Sequence, residues 1–246
     1  MVVQRILDFF RGNHSPQQID RLVKRLTETG GEDGPRIEAA EKLAEIGTQE
    51  AIYALLKRFT ISAKVITQDI EEKRMVVQFL AEKGRDAVEP ILRFLKSYHQ
   101  VEWPVQALTR ILSQEQWVPR LVDVLQNVAQ NPFTSPEHRS SLIKAMQGHV
   151  TAEIAATLQK SLKDDDDDVR IAAIQAIAEV GEHIRESLLE SFIEASDRPR
   201  IRIAVAELFA DHDWPVRGYR PTIEETLPEG FYVTAKGMIR RKGSAA

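Results

Sequence analysis

The sequence contains no cysteine and no long run of apolar residues. The absence of cysteine excludes disulfides, thiolate metal sites and thiol catalysis. A membrane-spanning helix needs roughly 18 consecutive apolar residues, and no stretch of the chain approaches that length. The first residues also lack the apolar core and the small-residue cleavage site of a secretory signal. We therefore expect a cytoplasmic protein that has no membrane partner.

Positive charge is also not in excess. The chain of 246 residues carries 33 Lys and Arg against 37 Asp and Glu, a net charge of −4. Proteins that bind nucleic acids generally carry a basic field, so a nucleic acid is an unfavoured partner. The hydrophobic content of 43% and the charged content of 28% are typical of a folded globular protein.

Motifs that carry chemistry are missing as well. No two of the six histidines stand three or four residues apart, so a zinc helix of the H-E-x-x-H type is absent. The G-x-S-x-G, Walker and dinucleotide-binding glycine motifs are absent too. The five consecutive aspartates at 164–168 lack the spacing and the glycine of a calcium loop, and we interpret them as a helix cap. We expect no catalytic residue, no cofactor and no metal site, and we favour a protein that is not an enzyme.

What the sequence does contain is a repeat. Apolar positions at helical spacing predict pairs of helices joined by short polar turns. The predicted first helices are 16–28, 49–59, 87–97, 116–130, 152–162 and 184–195, and the second helices are 35–46, 70–83, 103–112, 136–148, 168–180 and 199–210. The second helices close on equivalent apolar residues 31 to 37 residues apart, namely Leu43, Leu80, Leu112, Met146, Ile177 and Phe209. Self-similarity at this period is the signature of an α-solenoid.

A basic residue recurs seven positions before that apolar residue in five of the six units. These basic-slot residues are Arg36, Lys73, Arg139, Arg170 and Arg202, and Val105 takes the place in the third unit. They could form a stripe of cations for an acidic partner. We favour a ladder, in which each side chain reaches a carboxylate or turn carbonyl of its own or the preceding repeat. The carboxylates just upstream that could serve are Asp33, Asp69, Glu137, Asp167 and Asp197.

The segments PRIEAAEKLAEIG, VRIAAIQAIAEVG and IRIAVAELFADH resemble the second helix of HEAT repeats, especially the bacterial phycobilisome-lyase HEAT-like type. The segment AVEPILRFL is similar to the first helix of that family. The resemblance covers roughly residues 16–212 and is weak in the third unit, at Trp103-Pro104-Val105. It implies an all-α fold, a right-handed α-α superhelix of about six helix pairs with the second helices on the concave side. Within this family, an iron hydroxylase would need His-Glu dipeptides, which the chain lacks.

The two ends differ from the repeats. Val2, Ile6 and Phe10 fall on one helical face and predict a capping helix over 1–15. From 213 to 246 the helical period stops, and 231–234 and 238–241 predict a short β-hairpin. Its aromatic and cationic residues make it either a cap or a recognition element; the candidate contacts are Phe231, Tyr232, Lys236, Arg240 and Arg241.

These observations favour a non-enzymatic HEAT-repeat scaffold that binds a protein or peptide on its concave face. The candidate contact residues are the five basic-slot residues and the five hairpin residues, together with the long connection at 60–68. The alternative is a bilin-lyase-like or chaperone-type protein that handles a tetrapyrrole or similar ligand, which would need a closed apolar pocket. A HEAT-like DNA-binding enzyme is less favoured, because the chain lacks a basic field.

Overall fold

The computed structural model describes residues 15–30 and 33–243. Residues 1–14 of the predicted capping helix and the last three residues lie outside the described part. The chain divides into two compact units between Val128 and Ala129. In the described part, no helix is both long and apolar enough to cross a membrane.

In the first unit, all regular elements among the described residues are helices. They are α1 (Pro16–Leu26), α2 (Gly34–Ile46), α3 (Gln49–Leu55), α4 (Ile66–Glu82), α5 (Val88–Ser97), α6 (Glu102–Ile111) and α7 (Gln114–Ala129), which ends at the boundary. Two 3-10 segments, Leu56–Thr60 and Gly84–Ala87, extend α3 and precede α5. The pairs α1–α2, α3–α5 and α4–α6 pack side by side, so neighbouring repeats stack first helix on first helix and second on second.

The second unit repeats this arrangement and adds the hairpin. Its helices are α8 (Pro136–Met146), α9 (Ala152–Leu158), α10 (Asp167–Ala178), α11 (Arg185–Glu194), α12 (Pro199–His212) and α13 (Arg220–Thr226). The 3-10 segments Gln159–Lys163 and Gly181–Ile184 flank α10. Helix α10 lies between α8 and α12. Strands β1 (Phe231–Val233) and β2 (Ile239–Arg241) form an antiparallel pair in which Tyr232 is opposite Arg240.

Local chemistry explains where the helices begin and end. The Ser15 hydroxyl accepts a hydrogen bond from the Gln18 amide, and Pro16 occupies the first turn, as is usual at a helix start. The Thr48 hydroxyl caps α3 in the same way. Gly47 ends α2 with φ of +62°, a conformation that a β-carbon disfavours, so glycine suits the sharp turn into α3.

The core confirms the repeat that the sequence predicts. All six closing apolar residues are buried, and so is the residue four positions before each of them. That second set is Ala39, Val76, Leu108, Leu142, Ala173 and Val205. Positions i and i+4 share one helix face, so each second helix buries one continuous stripe. The all-α class, the helix pairs and the C-terminal hairpin are therefore confirmed.

Three local predictions differ from the structure. Helix α4 starts at Ile66, four residues earlier than predicted. The connection predicted at 60–68 is therefore shorter than expected, and it consists of a 3-10 end followed by irregular chain. Helix α13 was not predicted. Its seven residues are too few to show a helical period in the sequence. In the third unit Pro104 lies in the first turn of α6, where proline is tolerated, and Val105 is buried in the basic slot.

Candidate interaction surface

In the first unit, the basic-slot residues are buried rather than exposed. Arg36 in α2 and Lys73 in α4 share a cluster with Arg58, Asp69 and Glu72, which we call the buried ion cluster. All five side chains are buried, and Arg58 is only 1% exposed. The cluster thus occupies the interior between the first two repeats.

Glu72 is the centre of the buried ion cluster. Its carboxylate accepts from Arg36 at 2.7 Å (Nη2 to Oε1) and 3.0 Å (Nε to Oε2), and from Arg58 Nε at 2.7 Å. The Asp69 carboxylate accepts from Arg58 Nη2 and from Lys73 Nζ, both at 2.7 Å. Arg36 also donates to the Glu28 carbonyl at 3.2 Å. Three cations and two carboxylates are therefore joined across α2, α4 and the 3-10 segment.

The cluster shifts the ionisation of its own members. Burial would raise the pKa of Glu72, but the hydrogen bonds from Arg36 and Arg58 outweigh it and hold that pKa below its ordinary value. Burial opposes the shift at Asp69 too. There the bonds from Lys73, the Ala63 amide and Arg58 lower the pKa. The hydrogen bond to Glu72 raises the pKa of Arg36. Asp69 and Glu72 are thus carboxylates, and Arg36 a guanidinium cation, at neutral pH.

In the second unit, the basic-slot residues also bind partners within the chain. Arg139 donates to both Asp164 oxygens at 2.9 Å and to the Thr134 carbonyl at 2.8 Å. Arg170 Nε donates to the Asp164 carbonyl at 2.5 Å. The guanidinium of Arg202 lies 5.3 Å from the ring centre of Phe192 and donates to the carbonyl of that residue. These contacts within the chain agree with the ladder interpretation of the basic slot.

The predicted ladder partners were right in one case and differ in others. Lys73 does bind the upstream Asp69. Arg36, however, pairs with Glu72 of the next second helix where Asp33 was predicted, and Arg139 pairs with Asp164 where Glu137 was predicted. The reason is packing. Stacking brings a carboxylate of the following repeat alongside the guanidinium groups of Arg36 and Arg139. Lys73, Arg170 and Arg202 instead bind acceptors of their own repeat.

The aspartates at 164–168 cap the start of α10 and form ion pairs with the next repeat. Asp166 is the N-cap of α10 and accepts from the amides of Asp168 and Val169. Asp167 pairs with Arg198 at 3.0 Å and Asp168 with Arg200 at 2.5 Å. The cap interpretation is confirmed, with ion pairs to α12 and its preceding turn in addition. Within 15–30 and 33–243, no group of three or more His, Asp or Glu could hold a metal ion.

The hairpin is docked on the end of α12. Ile239 is fully buried, and the Val216 amide donates to the Gly237 carbonyl at 2.8 Å. Arg241 binds both oxygens of Asp211, at 2.6 and 3.2 Å, and Arg240 pairs with Asp213 at 2.7 Å. The two predicted contact arginines are therefore engaged by α12 and by the residue that follows it.

The remaining hairpin candidates differ in exposure. Tyr232 is 44% exposed, Lys236 is exposed and Phe231 is half-buried. Tyr232 and Lys236 thus have free surface on this unit.

The connection at 60–68 presents two apolar side chains to solvent. Val65 is 48% and Ile66 is 75% exposed. The buried ion cluster anchors the chain just before them, because Asp69 accepts from the Ala63 amide at 2.9 Å and Arg58 donates to the Ile61 carbonyl at 3.2 Å. In the sequence, Arg58, Asp69 and Glu72 are recognisable only as charged residues next to apolar positions. No sequence pattern indicates that these three side chains contact one another.

A groove with an accessible volume of about 550 Å³ lies along α1 and α2, and we call it the α1 groove. It is open, and most of its side chains are charged or polar. The residues that line it are Gln18, Arg21, Leu22, Lys24, Arg25, Glu28 and Lys42. The sequence analysis assigned no role to this surface.

Comparison with known families locates the repeats independently. The family model for HEAT repeats matches residues 122–210, and that for the PBS lyase HEAT-like repeat matches residues 35–59. Both matches fall on helices that bury the stripe described above. No curated protein and no solved structure matches the chain.

Proposed function

We propose, from the premise that this chain carries HEAT repeats in both compact units, that it is a non-enzymatic scaffold that binds a protein or peptide partner. The observation that carries the proposal is the exposed pair Val65 and Ile66 at the start of α4. A large apolar side chain that is three-quarters exposed gains free energy when a partner covers it. The pair stands beside a buried ion cluster that anchors the preceding connection.

Anchoring matters because binding has an entropic cost. A loop that must become ordered on binding loses affinity, whereas a pre-organised one does not. Here the backbone before Val65 is fixed at Ile61 and Ala63 by Arg58 and Asp69. In this proposal the basic-slot residues Arg36 and Lys73 support the contact surface from beneath. Tyr232 and Lys236 are candidates for a second contact on the other unit.

The tetrapyrrole alternative has less support. Such a ligand requires a closed, mostly apolar pocket. The α1 groove is open and lined mainly by charged side chains. A small groove of about 120 Å³ between α2 and α4 is lined by Asp33, Glu71 and Glu72, together with Ile37, Gln68 and Met75. Neither groove has the chemistry of a tetrapyrrole site.

The test is affinity capture from an extract of the source organism with quantitative mass spectrometry. The wild type is compared with the double variant Val65→Ser/Ile66→Ser. Serine also suits position 65, which is the N-cap of α4, so the double variant is expected to keep its fold. The matched control is Phe133→Ser, which removes another apolar side chain that is 92% exposed, in the second unit.

The expected result is at least one protein that the wild type and Phe133→Ser capture equally. Capture by the double variant should fall about tenfold or more, because burying Val and Ile contributes roughly 1.5–3 kcal/mol each. Circular dichroism should show the same helix content in all three proteins. The proposal is wrong if the wild type captures no protein specifically, or if the double variant captures the same proteins as well as the wild type.

A further inference from the structure

The α1 groove differs in charge from the protein that contains it. The chain as a whole has a net charge of −4, whereas the groove is lined by four cations and one carboxylate. Gln18, Arg21, Leu22 and Arg25 recur at spacings of three and four residues, so they lie along one face of α1, and Glu28 follows the end of that helix. Helix α2 adds Lys42 from the side.

Most of these cations form no direct ion pair within the described part of the chain. Lys42 pairs with Glu38 of its own helix. Arg21, Lys24 and Arg25 make no hydrogen bond or ion pair with any residue that the structure describes. This contrasts with the basic-slot residues, whose guanidinium and ammonium groups all have partners inside the protein. The groove therefore has an unused capacity to bind negative charge.

We propose that the α1 groove binds an acidic peptide segment, rich in Asp and Glu, of the partner protein. This inference rests on the proposed scaffold function and names a partner chemistry for it. Arginine and lysine form charge-assisted hydrogen bonds with carboxylates, and Arg21 and Arg25 lie one turn apart on α1. Leu22 is buried, and the stems of Arg21, Lys24 and Arg25 provide apolar contact for side chains that alternate with the acids.

Two other occupants fit less well. A single-stranded nucleic acid usually stacks its bases on aromatic side chains, and none of the seven residues that line the groove is aromatic. The N-terminal segment of the chain itself carries Arg5 and Arg11 against a single acid, Asp8, so its charge has the same sign as the groove. Charge complementarity thus selects an acidic peptide.

The test uses a fluorescein-labelled peptide of alternating Glu and Ala, its Lys-Ala counterpart and a labelled oligo-dT, with binding to the full chain followed by anisotropy. The groove variant is Arg21→Gln/Lys24→Gln/Arg25→Gln. The control, Lys144→Gln/Lys160→Gln/Lys163→Gln, makes the same change in net charge at exposed lysines of the second unit. A further variant lacks residues 1–14.

The expected result is that the Glu-Ala peptide binds the wild type and that the Lys-Ala peptide does not. The affinity for the Glu-Ala peptide should fall at least about tenfold in the groove variant and stay within about twofold in the control. Binding of the Glu-Ala peptide should also weaken as salt is added. Equal losses in groove variant and control would overturn the proposal. So would no binding by the wild type, stronger binding of oligo-dT that depends on the groove, or a tenfold gain on deletion of residues 1–14, which would make that segment the occupant.

The two proposals fail in different ways. If the groove variant binds the peptide like the wild type while capture through Val65 and Ile66 persists, the groove assignment is wrong and the scaffold function stands. If capture fails but the peptide still binds in a groove-dependent manner, the groove is a real anion-binding surface and the Val65–Ile66 contact is wrong.

Discussion

Replacing Glu72 by Gln is the sharpest test of the buried ion cluster. The substitution keeps the size of the side chain and removes its charge. Glu72 is 4% exposed and receives hydrogen bonds from both Arg36 and Arg58. The cluster of three cations and two carboxylates has a net charge of +1, and Glu72→Gln raises it to +2. The amide group of glutamine also turns a donor towards guanidinium groups that need acceptors.

The expected loss of stability is large. Removing one partner of a buried ion pair typically costs 3–5 kcal/mol, because the other charge stays buried and uncompensated. The affected folding unit should therefore lose about 3–5 kcal/mol. The whole free energy of unfolding of a domain is about 5–15 kcal/mol, so the loss is a substantial fraction of it. With about 2–4 °C for each kcal/mol in a chain of this size, the melting temperature should fall by roughly 6–20 °C.

Two measurements check this prediction. Urea unfolding followed by circular dichroism should show an early transition in Glu72→Gln. Amide hydrogen exchange should speed up in α2 and α4 and remain unchanged in α10 and α12, since each repeat contacts only its neighbours. The control is Glu224→Gln, in an exposed ion pair with Arg220 whose loss should cost below about 0.5 kcal/mol. A shift in Glu72→Gln no larger than in this control would refute the central role of Glu72.

Two further predictions concern acid stability and the hairpin. The pKa values of Asp69 and Glu72 are lowered in the folded state. The two carboxylates therefore contribute fully to stability at pH values above their ordinary pKa of about 4. That contribution is lost as the pH falls through their lowered, folded-state pKa values. Melting temperatures between pH 7 and pH 2 should fall for the wild type and fall less for Glu72→Gln; equal slopes would contradict this. Ile239→Ala should lower the free energy of unfolding in urea by about 2–5 kcal/mol, because Ile239 is fully buried. Tyr232→Ala, at a half-exposed side chain, should change it by no more than about 0.5 kcal/mol. Comparable losses in the two variants would mean that the hairpin is not docked through Ile239.

The repeat architecture could be predicted because its cause is local. Apolar residues at helical spacing, such as Ala39 with Leu43 and Ala173 with Ile177, must turn one face of the helix away from water wherever they occur. Recurrence of that face about every 31 to 37 residues requires neighbouring helix pairs to cover one another. Short, weakly patterned elements could not be predicted, as α13 shows, because seven residues contain less than two helical periods.

Side-chain partners depend on distances that the sequence does not contain. The sequence identifies Arg36 as a recurring basic position, yet Asp33 and Glu72 are both plausible mates by charge. Glu72 is 36 residues away along the chain and 2.7 Å away in space. Only the stacking of α4 on α2 decides between them. The same stacking brings Arg58 to Glu72 and so forms a cluster rather than a single pair.

The sequence by itself determined the helices, the repeat period, the buried stripe and the presence of a hairpin, because hydrophobic periodicity and turn chemistry act over a few residues. The tertiary structure alone decided which partners the basic-slot side chains bind within the protein, that Val65 and Ile66 face outward on an anchored connection, and that Lys42 joins the cations of α1 in one groove. These outcomes depend on how helices far apart in sequence pack together. Both proposed contact surfaces are consequences of that packing.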